Sequence, residues 1–275
     1  MPAVSITRVK ESASTRATVV PASDRRALQR ESRTTAPAPG APSPESRITP
    51  LFRPMVDVRS GSVHAYGTVF CGSFGDEDAT SAFQEAAALK SAGKLGRTLR
   101  EALFRTCPAA AIVVPLQRAE LNDSWLVRPD DPLFAWEHTV YVEVPIPALA
   151  DLKHAKSILG EMRSRGVRLI LTGIGVGRGA FRGVPELEPD LIELHRDVTS
   201  ELASDGPMQR LAAGLVRDCV GLGFPVLADG VDSLAAMCAA RDAGVDFVQG
   251  DYFGPPGERP ARYDWAKLNG RASRR

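Results

Sequence analysis

Three polar residues stand at the ends of short apolar runs that are predicted to be β-strands. Glu143 ends the run 141–144, Asp229 follows the run 226–228, and Gln249 follows Phe247 and Val248. Parallel strands end at the same edge of a sheet, so two carboxylates and an amide placed there could converge on one bound ligand. Polar residues in such positions also cap helices or satisfy loop amides, and both roles stay open.

A glycine-rich segment at residues 173–180 contains the spacing GxGxxA, which dinucleotide-binding folds use. That fingerprint needs a helix that opens at the glycines and points its N-terminus at the ligand. Gly183, Pro185 and Pro189 leave no room for such a helix before the next strand. We therefore predict a loop here.

The histidines and cysteines do not form groups that are typical of metal sites. No CxxC pair occurs, and no histidine has the spacing of a metal ligand. These residues are His64, His138, His154 and His195, and Cys71, Cys107, Cys219 and Cys238. The cysteines lie among apolar residues, as small reduced core residues do, which favours a reducing cytoplasm. We expect no metal and no cofactor.

The composition indicates a globular body behind a basic leader. The 275 residues are 44% hydrophobic, and a net charge of +1 gives no general attraction to nucleic acid or an acidic membrane. No apolar stretch approaches the roughly 18 residues of a membrane span, and no secretory signal is visible. Residues 1–49 hold eight Arg or Lys against four Asp or Glu, and one Leu without any aromatic residue. We predict that this leader, rich in Pro, Ala and Ser, is disordered.

The body alternates short apolar strands with helices. Two strands around Gly61 are predicted to form a β-hairpin, and later strands alternate with helices. Strands are predicted at 51–58, 62–70, 111–114, 139–144, 168–171, 191–194, 225–228 and 246–248, and helices at 81–105 (with a break at Gly93 or Gly96), 152–165, 208–222 and 233–243. This order predicts an α/β barrel in which the hairpin makes one strand antiparallel. We place the barrel at 50–258 and a C-terminal extension at 259–275.

Three stretches of the body resemble the ordered motifs of one known family. Residues 52–61 are similar to the opening motif QPIVDLRTG, residues 224–232 to VIAEGVE, and residues 244–255 to GVDYAQGYYFGRP. These motifs are those of the EAL domain, the cyclic di-GMP phosphodiesterase family of bacteria, which the sequence therefore resembles. The resemblance runs from about Leu51 to Pro256 and implies a modified TIM-like (β/α) barrel with one antiparallel strand.

The departures fall at positions to which the resemblance assigns catalysis. Hydrolysis in the family depends on metal ions, held by carboxylates and an asparagine, that activate a water molecule. The matching positions are Gly67 for the name-giving glutamate, Pro115 for the asparagine, Thr172 and Gly173 for paired aspartates, Ile146 for a second glutamate, and Glu193 and His195 for a lysine and an aspartate. Glu143 and Gln249 are kept, and Asp229 shortens a glutamate. The resemblance therefore implies a degenerate domain without two-metal chemistry.

These departures predict a catalytically inactive EAL-like protein that acts through protein–protein contact in bacterial regulation of motility, surface attachment or development. The alternative is a cyclic di-GMP receptor that does not hydrolyse its ligand, and an active phosphodiesterase ranks third. We expect a cytoplasmic protein with a protein partner and without nucleic-acid or membrane binding. A homodimer is compatible with the sequence.

A receptor would use a remnant ligand pocket at the strand ends. Its candidate residues are Glu143, Asp229, Gln249, Glu193, Arg178 and Arg182. Glu193 replaces a lysine by a negative charge, which repels a diphosphate ligand. Arg178 and Arg182, in the glycine-rich loop, could instead swing over the pocket and clamp a phosphate.

Overall fold

The computed structural model describes residues 48–72, 80–122, 124–146, 152–175, 184–259 and 265. The predicted disordered leader, except its last two residues, and nearly all of the C-terminal extension lie outside this range, as do Arg178 and Arg182. The strands are β1 (Ile48–Asp57), β2 (Val63–Gly72), β3 (Ile112–Pro115), β4 (Val140–Pro145), β5 (Arg168–Ile174), β6 (Leu191–Leu194), β7 (Val226–Ala228) and β8 (Phe247–Val248).

Helices cover the connections between most of these strands. The α-helices are α1 (Thr80–Ala88), α2 (Ala92–Thr106), α3 (Leu152–Ser164), α4 (Val184–Leu187), α5 (Arg196–Leu202), α6 (Pro207–Gly221) and α7 (Leu234–Ala243). Short 3-10 helices lie at Glu120–Asn122, Ser124–Val127, Pro132–Phe134 and Asp251–Phe253. No helix among the described residues is long and apolar enough to cross a membrane.

The eight strands close into a barrel in chain order, and β1 is antiparallel to both of its neighbours. In the β1–β2 hairpin, Met55 pairs with Ala65 and Arg53 pairs with Gly67. Every strand pair from β2 to β8 is parallel. The predicted α/β, modified TIM-like barrel with one antiparallel strand is therefore confirmed.

A layer of apolar side chains fills the middle of the barrel. It consists of Met55, Ala65, Val113, Tyr141, Ile170, Leu191 and Leu227, each at most 4% exposed. Side chains alternate between the two faces of a strand, so residues two positions nearer the carboxyl end of the barrel also face inward. These inward residues are Arg53, Gly67, Pro115, Glu143, Thr172, Glu193 and Asp229, and Gln249 has the same relation to Phe247, which packs against the layer. The barrel thus brings polar side chains from separate strands to one mouth.

Two local features differ from the predicted elements. The helix predicted over 81–105 is broken at Lys90, whose φ of 54° ends α1, whereas Gly93 and Gly96 are buried inside α2. Helices α4 and α5 were not predicted, because they have only four and seven residues and the N-cap of α5 is a histidine. The Nδ1 atom of that residue, His195, accepts the N–H of Asp197 at 3.3 Å.

The structure describes the first three residues of the glycine-rich segment, 173–175, and the first two of them belong to β5. Gly175 has a φ of 98°, and a Cβ there would collide with the side chain of Val198 on α5. The next described helix, α4, has four residues and does not begin at the glycines. The described part of this segment therefore packs against α5, and it does not form the helix opening that a dinucleotide site requires.

Candidate functional site

Four of the six predicted pocket residues meet at the carboxyl end of the barrel. Glu143 on β4 is half-buried, and Glu193 on β6 is 7% exposed. Asp229 directly follows β7, and Gln249, which is 4% exposed, directly follows β8. The charges of Glu143 and Asp229 both act on the carboxyl group of Glu193. The remaining two predicted residues, the loop arginines, lie outside the described residues.

A fifth side chain, Arg53 of β1, lies among these residues and was missed by the sequence reasoning. Its Nη1 atom is 3.2 Å from Oδ1 of Asp229, and the two side chains are 21% and 15% exposed. The signal for it lies in strand alternation, because Arg53 is two residues from Met55, which fills the barrel. Arg53 lies within an apolar strand and not at a strand end, where polar ligand-binding residues were predicted.

Gln249 completes the pairing of the Arg53 guanidinium. In one orientation of the Gln249 amide, its nitrogen donates to Oδ1 of Asp229 at 3.4 Å. In the reversed orientation, the amide oxygen accepts from Nη2 and Nε of Arg53 at 2.9 and 2.8 Å. We assign the reversed orientation, because a guanidinium can only donate and two short bonds outweigh one long one.

The position of Gln249 depends on two glycines. A Cβ at Gly67 would collide with the side-chain amide of Gln249, so the missing side chain on β2 leaves the space that this amide occupies. Gly250 has a φ of 156°, and a Cβ there would collide with the backbone of Val231. The N–H of Val231 donates to the Gln249 carbonyl at 3.0 Å and holds this turn in place.

Burial raises the pKa values of two carboxyl groups in the mouth. Burial raises the pKa of Glu143 to about 7; the charge of Arg53 lowers this pKa, and the charge of Asp229 raises it. Burial raises the pKa of Glu193 well above its usual range, and the charges of Glu143 and Asp229 add to the effect. The folded protein therefore holds protons in the mouth at a pH where exposed carboxyl groups are ionised.

The residues of the mouth do not fit a divalent metal ion. Magnesium and calcium need several oxygen ligands that converge at about 2.0–2.6 Å. Asp229 is engaged by the Arg53 guanidinium, and Gly67 and Pro115, which also face the mouth, have no side-chain oxygen. Within the described ranges, no group of three or more His, Cys, Asp or Glu side chains is arranged to hold a metal.

Solved structures with the same barrel include two that were determined with cyclic di-GMP. The calcium and cyclic di-GMP complex of Klebsiella pneumoniae BlrP1 has a TM-score of 0.68 and 20% identity, over 79% of this chain and 58% of that chain. The EAL domain of Xanthomonas citri FimX in complex with cyclic di-GMP has a TM-score of 0.65 and 18% identity, over 80% of this chain and 91% of that chain. At these identities the likeness shows the fold.

Two curated proteins match shorter stretches. The blue light- and temperature-regulated antirepressor BluF of Escherichia coli is 24% identical over 109 residues, which is 40% of this chain and 25% of BluF. An uncharacterized protein of Azorhizobium caulinodans is 24% identical over 96 residues, which is 35% of this chain and 13% of that protein. The matches thus span a quarter or less of these relatives.

A family model described as the EAL domain matches residues 43–256. This range contains the whole barrel, including the hairpin, the mouth residues and the turn after β8. It also agrees with the three stretches on which the sequence resemblance rests. The chain therefore belongs to the EAL domain family.

Proposed function

We propose that this EAL domain does not hydrolyse cyclic di-GMP and acts through contact with a protein in bacterial signalling. The observation that carries the proposal is the pairing of Arg53 with Asp229 and Gln249. Metal-assisted hydrolysis would need free, ionised oxygen ligands at this place in the barrel. The residues at positions 67, 115, 172 and 173 support the same proposal, because none of them carries a carboxylate or an amide.

Action on a protein is supported by two further observations. BluF, with which this chain shares 24% identity over 109 residues, is named as an antirepressor. The leader, residues 1–49, adds a net charge of +4, from eight basic against four acidic residues, and a basic segment can bind an acidic partner surface. The four cysteines, all among the described residues, form no disulfide bond, which is compatible with the cytoplasm as the place of action.

The second candidate function is a cyclic di-GMP receptor without hydrolysis. Structures with this fold have been determined with cyclic di-GMP, among them the EAL domain of FimX. In the described part of the mouth, Asp229 already pairs with the Arg53 guanidinium, and ionisation of Glu143 or Glu193 adds negative charge that opposes the binding of a diphosphate ligand. A receptor would need additional positive charge, for which Arg178 and Arg182 stay the candidates.

Calorimetry with cyclic di-GMP distinguishes the two candidates. We expect no measurable binding by the full chain at micromolar protein concentration, because the ligand would meet the carboxyl groups of Glu143, Glu193 and Asp229. Glu193→Lys is expected to fold, since the new ammonium group would lie beside two carboxyl groups. This variant tests whether repulsion by the Glu193 carboxyl group prevents ligand binding.

Tight binding by the unaltered protein would contradict the proposal and favour the receptor. In that case alanine at Arg178 and Arg182 should abolish binding. Alanine at His64 should not, because His64 lies at the opposite end of the barrel, with Nε2 at 2.9 Å from the Tyr141 hydroxyl.

A pull-down from the native cell, with and without cyclic di-GMP, shows whether capture of the partner depends on the ligand. We expect the same capture under both conditions.

A further inference from the structure

The three carboxyl groups of the mouth need positive charge nearby, and the described residues supply it from the protein itself. We propose that the Arg53 guanidinium is a built-in counter-ion that balances these carboxyl groups in place of a divalent cation and keeps such a cation out. This inference goes beyond the proposed function, because it concerns what stabilises the mouth and holds whichever partner the protein has.

The geometry of the Arg53 side chain supports this proposal. Its Nη1 lies 3.2 Å from Asp229, while its Nε and Nη2 donate to the Gln249 amide oxygen at 2.8 and 2.9 Å. Both members of the ion pair are mostly buried, so their attraction is stronger than that of a surface pair. The guanidinium is therefore held by three directed contacts and does not extend into solvent.

The charge of Arg53 acts on carboxyl groups beyond its direct partner Asp229. Arg53 acts on both Glu143 and Glu193 in the direction that favours their ionised forms. The groups that face each other are Arg53 from β1, Glu143 from β4, Glu193 from β6 and Asp229 after β7, together with the neutral side chains of Thr172 and Gln249. The side chain of Arg196 lies near Gly230, but it contacts Asp232 and not Asp229: its Nη2 is 3.8 Å from Oδ2 of Asp232.

Arg53 and a divalent cation would compete for Asp229. A cation on Oδ1 of Asp229 would have to displace Nη1 of Arg53, and a cation on the other carboxylate oxygen would be repelled by the nearby guanidinium charge. Gly67 makes the Arg53–Gln249 arrangement sterically allowed, because a larger residue there would push Gln249 away from its place. The paired arginine therefore disfavours a cation at Asp229, and as part of the chain it is always present.

Removal of the guanidinium should therefore expose a response to divalent cations. The test compares thermal unfolding of the full chain and of Arg53→Gln at pH 5 and pH 8, with EDTA or with manganese. At pH 8 we expect Arg53→Gln to lose about 4–8 °C in Tm, and at pH 5 much less, because protonation removes the repulsion. Manganese should raise the Tm of this variant and leave the unaltered protein unchanged.

Arg168→Gln is the matched control for this variant. Arg168 also lies on a barrel strand, but its Nη1 is 3.5 Å from the Tyr141 hydroxyl, at the opposite end of the barrel. We expect no manganese response in it.

Two further variants keep the test decisive if Arg53→Gln does not fold. Arg53→Lys keeps the charge and should retain the pH profile and the lack of a manganese response. Arg53→Gln combined with Glu193→Gln removes an acid that Arg53 balances, so at pH 8 the double variant should be more stable than the sum of the two single effects predicts. The proposal is overturned by an equal loss at both pH values, by strictly additive effects in the double variant, or by a manganese shift as large in the unaltered protein as in Arg53→Gln.

Discussion

Replacing Arg100 with methionine is expected to lower the free energy of unfolding by about 3–5 kcal/mol, because two buried carboxylates lose their counter-ion. Arg100 is 1% exposed, and its Nη2 and Nη1 donate to Asp131 and Glu120 at 2.7 and 2.5 Å. Burial raises the pKa of Glu120, and the charge of Arg100 opposes that rise. Without Arg100 the desolvation of both carboxylates is offset by backbone N–H donors and no longer by a positive charge.

The Arg100 ion pairs also connect helix α2 to the segment between β3 and β4. Glu120 accepts the N–H of Gln117 at 2.9 Å, and Asp131 accepts the N–H of Leu133 at 3.1 Å. Gly96 allows this approach, since a Cβ there would collide with Glu120. The segment leads into β4, so the network fixes the strand that carries Glu143.

Urea unfolding at pH 7 measures this effect. Arg97→Met, one turn earlier on the same helix, is the matched control, because the Nε of Arg97 pairs with Glu101 at 3.0 Å nearer the surface. We expect no comparable loss in that control. A loss below about 1 kcal/mol for Arg100→Met would contradict the account of the buried pairs.

Glu193→Gln is expected to raise the free energy of unfolding at pH 8 by about 1–3 kcal/mol, the usual cost of an uncompensated buried polar group, and by much less at pH 5. Glutamine keeps the shape of the protonated acid but never ionises. It therefore avoids the cost of an ionised or reprotonated carboxyl group in a buried site, where Glu193 is 7% exposed.

The sign of this effect follows from the raised pKa values. In the folded state Glu143 and Glu193 keep protons that the unfolded chain releases above its usual glutamate pKa of about 4.3. Their contribution to stability is fully present below that pH and is lost as the pH rises through the folded-state pKa, which is about 7 for Glu143. The unaltered protein should thus lose stability across this window, and Glu193→Gln should lose less.

Unfolding curves at pH 5, 6.5 and 8 test the prediction, with Glu85→Gln as the control. Glu85 is exposed on helix α1, and its replacement should not change the pH profile. An equal stabilisation by Glu193→Gln at every pH would show that packing, and not ionisation, is responsible. A destabilisation at pH 8 would contradict the buried, repelled state of Glu193.

The sequence was sufficient to predict the barrel, because its strands and helices alternate at clear spacing and the hairpin precedes them. It also predicted that Glu143, Asp229 and Gln249 lie together, since each is near or directly after the carboxyl end of a parallel strand. Arg53 was not found, because an arginine inside an apolar strand is recognised as inward-facing only when the strand register is known. Arg100 was missed for a similar reason: its partners are 20 and 31 residues away along the chain.

The central claim is that this EAL domain lacks phosphodiesterase activity, and incubation with cyclic di-GMP tests it most directly. Purified full chain is incubated with cyclic di-GMP and either magnesium or manganese, and linear product is quantified against a control without protein and a control with EDTA. The account predicts no product above the control, because Asp229 in the mouth is paired with the Arg53 guanidinium and is not free to bind a metal ion. Linear product that exceeds the control and disappears on chelation would contradict it.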